Sequence, residues 1–182
     1  MVLPGHISGG YIVTKAILSI LHPSFSAAKI NALLIIGTLS GELPDIDLVR
    51  LYFAGKRSKT VMDEDHRNYI THTPLVWLCV AGIIFIVGML MSSSFTKYLS
   101  LAVLAGSWSH LLLDSIEYGV MWLWPFSSKR YSLIKKLPIG TVTARTGTIA
   151  SHWQYIKTAY IRTWTFWAEL IVTIVAISLF FS

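Results

Sequence analysis

The chain alternates long apolar segments with short polar ones, and this pattern predicts helices embedded in a membrane. Residues 73–91 contain no charged side chain, and their length is close to the roughly 20 apolar residues that a spanning helix needs. Residues 98–113 and 170–182 are also uncharged, and apolar flanks lengthen the last segment to 164–182. We therefore expect three spans, of which 164–182 is the final one.

Two shorter apolar segments, 7–21 and 27–43, come first and are separated by a break rich in proline and serine. This break predicts a tight turn with Ser26 as a helix N-cap, so that the two segments form a helical hairpin. Lys29 lies near a helix end and can reach the membrane surface, whereas Lys15 is predicted to face the protein interior or to lie in a re-entrant arm. The sequence thus predicts an all-α integral membrane protein with about five embedded helices.

Residues that start or end helices mark the borders of these segments. Gly41 suits a helix C-terminus and Pro44 does not continue a helix, so the second segment is predicted to end there. Thr73 as N-cap and Pro74 at the first helical position predict the start of the third. Gly119 is the predicted end of the fourth.

The distribution of basic residues predicts the orientation. The net charge is +6, and lysine and arginine concentrate in the loops 48–71 and 125–163 rather than in the turns 22–26 and 92–97. Because basic loops stay in the cytoplasm, a single membrane-embedded domain, 1–182, would begin inside and, with five spans, end outside. Orientation and contact with membrane lipids explain the charge, and we expect no nucleic-acid partner.

A histidine and an aspartate in the fourth apolar segment are the first candidates for a functional site. His110 and Asp114 are four residues apart, so both side chains project from one helix face. A carboxylate at the bilayer centre costs roughly 2.5–3.5 kcal/mol or more, which favours a position facing the protein interior. Taken alone, the pair has the alternative role of a hydrogen-bonded link between helices.

The predicted topology brings other histidines and aspartates to the same cytoplasmic face. With His110 and Asp114, the candidates at this face are His6, Asp45, Asp47, His66 and His72, seven residues in all. Histidine with carboxylate is the ligand set of hydrolytic zinc, manganese or iron sites, and the single cysteine lies within a predicted span. We therefore expect a divalent metal, with zinc favoured, as one or two ions. Asp45 and Asp114 are the candidates for a carboxylate that bridges two ions.

Supporting roles in catalysis are predicted for three residues. Asp47 is expected to orient a metal ligand from behind and, with His66 as the alternative, to handle protons. Arg67 is expected to stabilise an anionic substrate. His22, in the turn on the far side of the membrane, and His152, in an irregular loop, are left outside the predicted site.

The motifs taken together resemble a known family. They are Leu-Pro-Asp-Ile-Asp at 43–47, His66-Arg67 with Thr-His-Thr at 71–73, Ser-His-Leu-Leu-Leu-Asp at 109–114, and Trp-Pro-Phe at 124–126. Over about residues 1–131, the metal-site part, the chain resembles the YdjM-type membrane-bound metal-dependent hydrolases of bacteria and archaea. The resemblance implies a multi-pass protein of the inner (cytoplasmic) membrane.

A more distant similarity is to zinc-dependent phospholipase C and the related single-strand nucleases. It implies that the residues holding the metal directly are His6, Asp45, His72, His110 and Asp114. His66 has no clear counterpart in that pattern.

We therefore predict a hydrolase at the cytoplasmic membrane face that acts on a phosphoester or phospholipid-like substrate through metal-activated water. The alternatives are a transporter of metal ions or protons and a scaffold with a structural metal. Residues 75–91 and 99–104 are almost wholly apolar, which argues against a polar path across the membrane and ranks transport lower.

Overall fold

The structure is a computed structural model that describes residues 3–47, 68–134, 157 and 160–182. In this part of the chain it contains five α-helices and no β-strand, which confirms the predicted all-α fold. The helices are α1 (Leu3–Leu21), α2 (Ala27–Ser40), α3 (Pro74–Leu90), α4 (Ser94–Glu117) and α5 (Trp164–Phe181).

Two of the five helices are long and apolar enough to cross a membrane, as judged by length and composition. They are α5 and the part of α4 from Ser94 to Ile116. α2 and α3 are apolar but shorter, and α1 carries Lys15 within its length. The described part of the chain thus contains five helices, whereas length and composition support membrane crossing for two of them, not for the three or five expected.

The helices begin and end close to the predicted residues, although the capping bonds differ. α3 begins at Pro74, but the Thr73 hydroxyl donates to the carbonyl of Ile70 at 2.7 Å and does not cap the helix. α2 ends at Ser40, one residue before Gly41. Gly41 has the backbone conformation of a right-handed helix, with a φ of −62°, so this position does not require glycine for its φ angle. α4 ends shortly before Gly119, whose φ of +83° is a conformation that glycine adopts without strain.

α4 lies at the centre of the bundle and packs against α1, α2 and α3. α1 and α2 are antiparallel, with His6 beside Gly41 at one end and Leu18 near Leu33 at the other. We call the first of these the site end and the second the far end. The far end is closed by an apolar cluster of Leu18, Leu33 and Ala102, one residue from each of α1, α2 and α4.

Glycines allow α1, α2 and α4 to approach closely near the site end. A Cβ atom on Gly106 of α4 would overlap the carbonyl oxygen of Gly37 in α2, and one on Gly41 would overlap the carbonyl of His6 in α1. Small residues at helix contacts permit this backbone approach. The three helices are thereby held near enough for their polar side chains to meet.

α5 packs mainly on α1 and runs parallel to it. Glu169, in the first half of α5, accepts a hydrogen bond of 2.9 Å from the backbone N–H of Gly5. Farther along both helices, the Tyr11 hydroxyl donates to the carbonyl of Leu179 at 3.3 Å. Lys15, which is partly buried, also donates to that carbonyl, so its amine faces the end of α5.

Candidate metal centre

Five polar side chains from α1, α4 and two short 3-10 turns meet at the site end. The turns are Leu43–Asp45 and Ile70–His72. The five residues are His6, Asp45, His72, His110 and Asp114. Four of them are buried, whereas the Asp45 side chain is 24% exposed. The structure thus brings together all five residues that the sequence predicted as metal ligands; their binding of a metal stays a prediction.

His110 is placed to act as a ligand through one defined nitrogen. Its Nδ1 lies 2.7 Å from the carbonyl oxygen of Gly41. A carbonyl only accepts hydrogen bonds, so Nδ1 carries the proton and Nε2 presents a lone pair. Nε2 is buried and has no hydrogen-bond partner within the described residues, but it lies 3.6 Å from Asp45 Oδ1 and 3.8 Å from Asp114 Oδ2. Such a buried lone pair between two carboxylates fits a metal ligand oriented by a backbone carbonyl.

His6 completes the side of the site formed by α1. Its Nε2 lies 3.5 Å from Asp114 Oδ1, and its ring stacks on that of His110 with centroids 3.8 Å apart. Two imidazolium ions in such contact would repel strongly at low dielectric, which favours at least one neutral ring. The neutral imidazole is the form that binds metals.

His72 and Asp47 form the opposite side. His72 Nε2 lies 3.1 Å from Asp45 Oδ1, while its Nδ1 lies 3.9 Å from Asp47 Oδ2 and 3.5 Å from the Thr71 hydroxyl. Asp47 is buried, so its carboxylate stands behind His72, on the side away from Asp45. A carboxylate behind a ligating histidine can fix its tautomer through a hydrogen bond. At 3.9 Å, Asp47 Oδ2 is near His72 Nδ1 without such a bond, so the orienting role predicted for Asp47 stays a prediction.

The potential ligand atoms form two groups, each with its atoms within 4.8 Å of one another. One group is His6, His110 and Asp114, and the other is Asp45, His72 and His110. His110 belongs to both, yet with Nδ1 bonded to a carbonyl it has one lone pair and can bind one ion. Two ions would therefore leave one group with two of its three candidate ligands unless a carboxylate bridged the ions. Asp45 and Asp114 each belong to one group, and the bridging role predicted for them stays a prediction.

Of the other residues considered from the sequence, His22 is described and three are not. His22 is exposed in the turn at the far end with φ of 43°, in agreement with its predicted place outside the site. His66 and Arg67, predicted for proton handling and substrate binding, fall outside the described residues, and so does His152.

Glu169 is a buried residue near the site that the sequence reasoning missed. Besides the Gly5 N–H, it accepts a hydrogen bond from the hydroxyl of Tyr160. Through Gly5 it holds the first turn of α1, one residue before His6. A single carboxylate within an apolar segment was the signal that could have revealed it, as it did for Asp114.

Glu42 is a second missed carboxylate, in the connection between α2 and the turn Leu43–Asp45. Its side chain is half-buried, and its Oε1 has no hydrogen-bond partner in the described part of the chain. Burial, reinforced by the charges of Asp45 and Glu169, raises the pKa of Glu42 to about 7. Its position between Gly41 and Pro44 carries no signal that marks it as buried.

The chain was compared with known protein families, curated proteins and solved structures. The model of the family described as YdjM inner membrane protein matches residues 1–182. No curated protein and no solved structure matches the chain.

Proposed function

We propose that this chain, which belongs to the YdjM inner membrane protein family, is a multi-pass membrane hydrolase. It acts at the cytoplasmic membrane face on phosphoester substrates, with one or two divalent metal ions, zinc favoured. The single observation that carries the proposal is the buried Nε2 of His110, whose tautomer is fixed by Gly41 and whose lone pair lies between two carboxylates.

The donor set fits such a metal. Three imidazoles and two carboxylates, with no thiol, match hydrolytic sites rather than the cysteine-rich sites typical of structural zinc. A divalent ion held there would polarise a phosphoryl oxygen and lower the pKa of a bound water. The five ligand candidates are those that the similarity to zinc-dependent phospholipase C implied, and the burial of four of them keeps bulk water from most of the site.

The chain's own residues have distinct tasks in this proposal. His6, His110 and Asp114 are buried and form the inner wall. Asp45 is the partly exposed member, so substrate and water would approach from its side. Asp47, whose Oδ2 lies 3.9 Å from the opposite nitrogen of His72, would help to keep the Nε2 of His72 directed at the site.

The far end of the bundle favours hydrolysis over transport. Below the site, the described residues of the same helices close on the apolar cluster of Leu18, Leu33 and Ala102. An ion pathway would need polar groups through this layer.

A turnover assay tests the proposal. Purified protein loaded with zinc or manganese is given a panel of phospholipids and generic phosphodiesters, and release of phosphate or headgroup is followed. Asp47→Asn should keep the fold and most of the metal while lowering turnover by about tenfold or more, as changes behind a ligand commonly do. His22→Ala, at the far end, is the matched control and should behave as the unmodified protein.

One combination of results would contradict the hydrolase proposal. A fully metallated protein that turns over no member of the panel, with spectroscopy showing that protein groups fill every coordination position, would favour a scaffold with a structural metal.

A further inference from the structure

The first turn of α1 is fastened by a side chain from another helix. Gly5 is the third residue of α1, and the N–H groups of a first turn have no partner within their own helix. The Gly5 N–H donates instead to Glu169 Oε1 of α5 at 2.9 Å, in a buried contact. The next residue is the candidate ligand His6, so this bond holds the backbone that carries the ligand.

The contact depends on glycine at position 5. A Cβ atom there would lie 2.8 Å from Glu169 Cγ and 3.0 Å from its Oε1, so alanine would push the carboxylate away. Alanine generally favours a helix more than glycine does. Gly5 is therefore the less favourable residue for α1 itself, but it admits the carboxylate of α5.

Glu169 is held in place on its other side as well. Its Oε2 accepts a hydrogen bond from the hydroxyl of Tyr160, which is buried and packs edge-on against Phe166 with ring centroids 5.7 Å apart. The Thr163 hydroxyl donates to the Tyr160 carbonyl at 2.7 Å and accepts from the Phe166 N–H at 3.2 Å. These bonds fix the carboxylate relative to the start of α5, so that one of its oxygens is presented to α1.

A shift of the first turn of α1 would reach two candidate ligands. The His6 ring stacks on that of His110, and the His6 carbonyl lies against Gly41, where a Cβ atom would be 2.5 Å from the carbonyl oxygen. The carbonyl of Gly41 in turn accepts the hydrogen bond that sets the tautomer of His110. The geometry of both imidazoles thus depends on where this turn lies.

Further polar contacts between α1 and α5 lie farther from the site. The Ser8 hydroxyl is 3.4 Å from that of Thr173, and the Tyr11 hydroxyl donates to the carbonyl of Leu179 at 3.3 Å. These contacts can dock α5 on α1 without holding the turn that carries His6. They therefore offer a control that separates docking of the helix from placement of the ligand.

We propose that Glu169 is a positioning residue for His6. It fixes the first turn of α1, which keeps the His6 ring on His110 and its Nε2 directed at Asp114 Oδ1, 3.5 Å away. The affinity of the site for metal then depends on α5, although Glu169 acts through the backbone of Gly5. The inference rests on the proposed function, because it assigns this role beside the same metal centre.

The first measurement needs no metal. The full chain is prepared metal-free in detergent with isotope-labelled histidine, its imidazole C–H signals are recorded by NMR, and His6→Gln identifies the signal of His6. Because the rings of His6 and His110 are stacked, each shields the protons of the other. Glu169→Ala should displace the His6 signal. Tyr11→Phe, which removes a bond between the same two helices farther from the site, should leave it in place.

The second measurement is the affinity for zinc, determined by competition with a chromophoric chelator. Glu169→Ala should weaken zinc binding by about tenfold, as changes to groups that orient a ligand commonly do. Glu169→Gln should restore most of the affinity, because its amide oxygen can still accept from the Gly5 N–H. Tyr11→Phe should again match the unmodified protein.

Gly5→Ala tests the same contact from the other side and keeps the proposal testable if Glu169→Ala folds poorly. It should weaken zinc binding to a similar extent, although alanine favours the helix. In the Glu169→Ala background the same change should add little, because both substitutions remove one shared contact.

The outcomes separate the two proposals. An unchanged His6 signal and unchanged zinc affinity in Glu169→Ala would overturn the positioning role. Equal impairment of Glu169→Ala, Glu169→Gln and Tyr11→Phe would also overturn it, because α5 would then merely dock on α1. Displacement of the His6 signal by Glu169→Ala in a protein that binds no zinc, or that binds zinc and cleaves no phosphoester, would support the positioning role and refute the hydrolase.

Discussion

The site end and the far end of the bundle are formed by the same three helices but by opposite kinds of side chain. At the far end, α1, α2 and α4 close on Leu18, Leu33 and Ala102. At the site end, they hold His6 and His110 in a buried stack beside Asp114. An unsatisfied buried polar group costs about 1–3 kcal/mol. Without a bound metal, the site end therefore lowers the free energy of unfolding, and packing elsewhere, including the far end, must offset this loss.

The largest expected effect comes from weakening the far end. Leu33 is fully buried, and Leu33→Ala should lower the free energy of unfolding by about 2–5 kcal/mol through the cavity it leaves. Denaturation of the detergent-solubilised protein, with and without zinc, would measure this loss. The loss should be the same in both conditions, because Leu33 touches no metal ligand. Ile20→Ala, 74% exposed on α1, is the control and should have little effect.

The second prediction concerns the site end and its dependence on metal. Zinc at 100 times its Kd should add about 2.7 kcal/mol of stability for one ion, because it satisfies the buried lone pairs. His110→Ala and Asp114→Ala should lose this gain and most of the bound metal, as measured by thermal melts and elemental analysis. His22→Ala should retain both. Equal zinc content in all of these proteins would contradict the metal centre.

The smallest expected effect is a pH dependence at the border of the site. Because the pKa of Glu42 is raised to about 7, the folded protein keeps a proton on Glu42 that the unfolded chain releases near its ordinary value. The stability from this group is therefore present at acid pH and lost as the pH rises toward and through 7.

Glu42→Gln should accordingly raise the melting temperature of the metal-free protein at pH 8 and give little gain at pH 5. The side chain is half-exposed, so after allowance for solvent screening we expect at most about 1 kcal/mol, or roughly 2–4 °C for a chain of this size. A larger gain at pH 5 than at pH 8 would show that the carboxylate is stabilised, not destabilised, by its surroundings.

The sequence predicted features that depend on local spacing better than those that depend on close packing. His110 and Asp114 share a face of one helix, so their meeting follows from a separation of four residues. Topology indicated that His6 and His72 would reach the same membrane face. Their approach to within a few ångströms depends on the glycine contacts of α1, α2 and α4, which no spacing rule predicts.

Glu169 shows where sequence reasoning stops. Its residue type and apolar surroundings mark it as unusual, but one of its partners is the backbone N–H of Gly5, and every residue except proline carries such a group. The number of membrane-spanning helices is likewise not decided by the sequence. Apolar length identified the helices, whereas the 17 residues of α3 do not by themselves decide whether it crosses the membrane.

The hydrogen bond between Glu169 and Gly5 also has a consequence for the order of assembly during synthesis. It joins residues 164 positions apart, so the first turn of α1 is fastened by a helix that leaves the ribosome after the other four. Asp114 is made 55 residues before Glu169, which at roughly 5–20 residues per second is an interval of several seconds. During that time all five ligand candidates exist in the nascent chain, but His6 still lacks its tether. α5 therefore fastens the first turn of α1 only after all five ligand candidates have been synthesised.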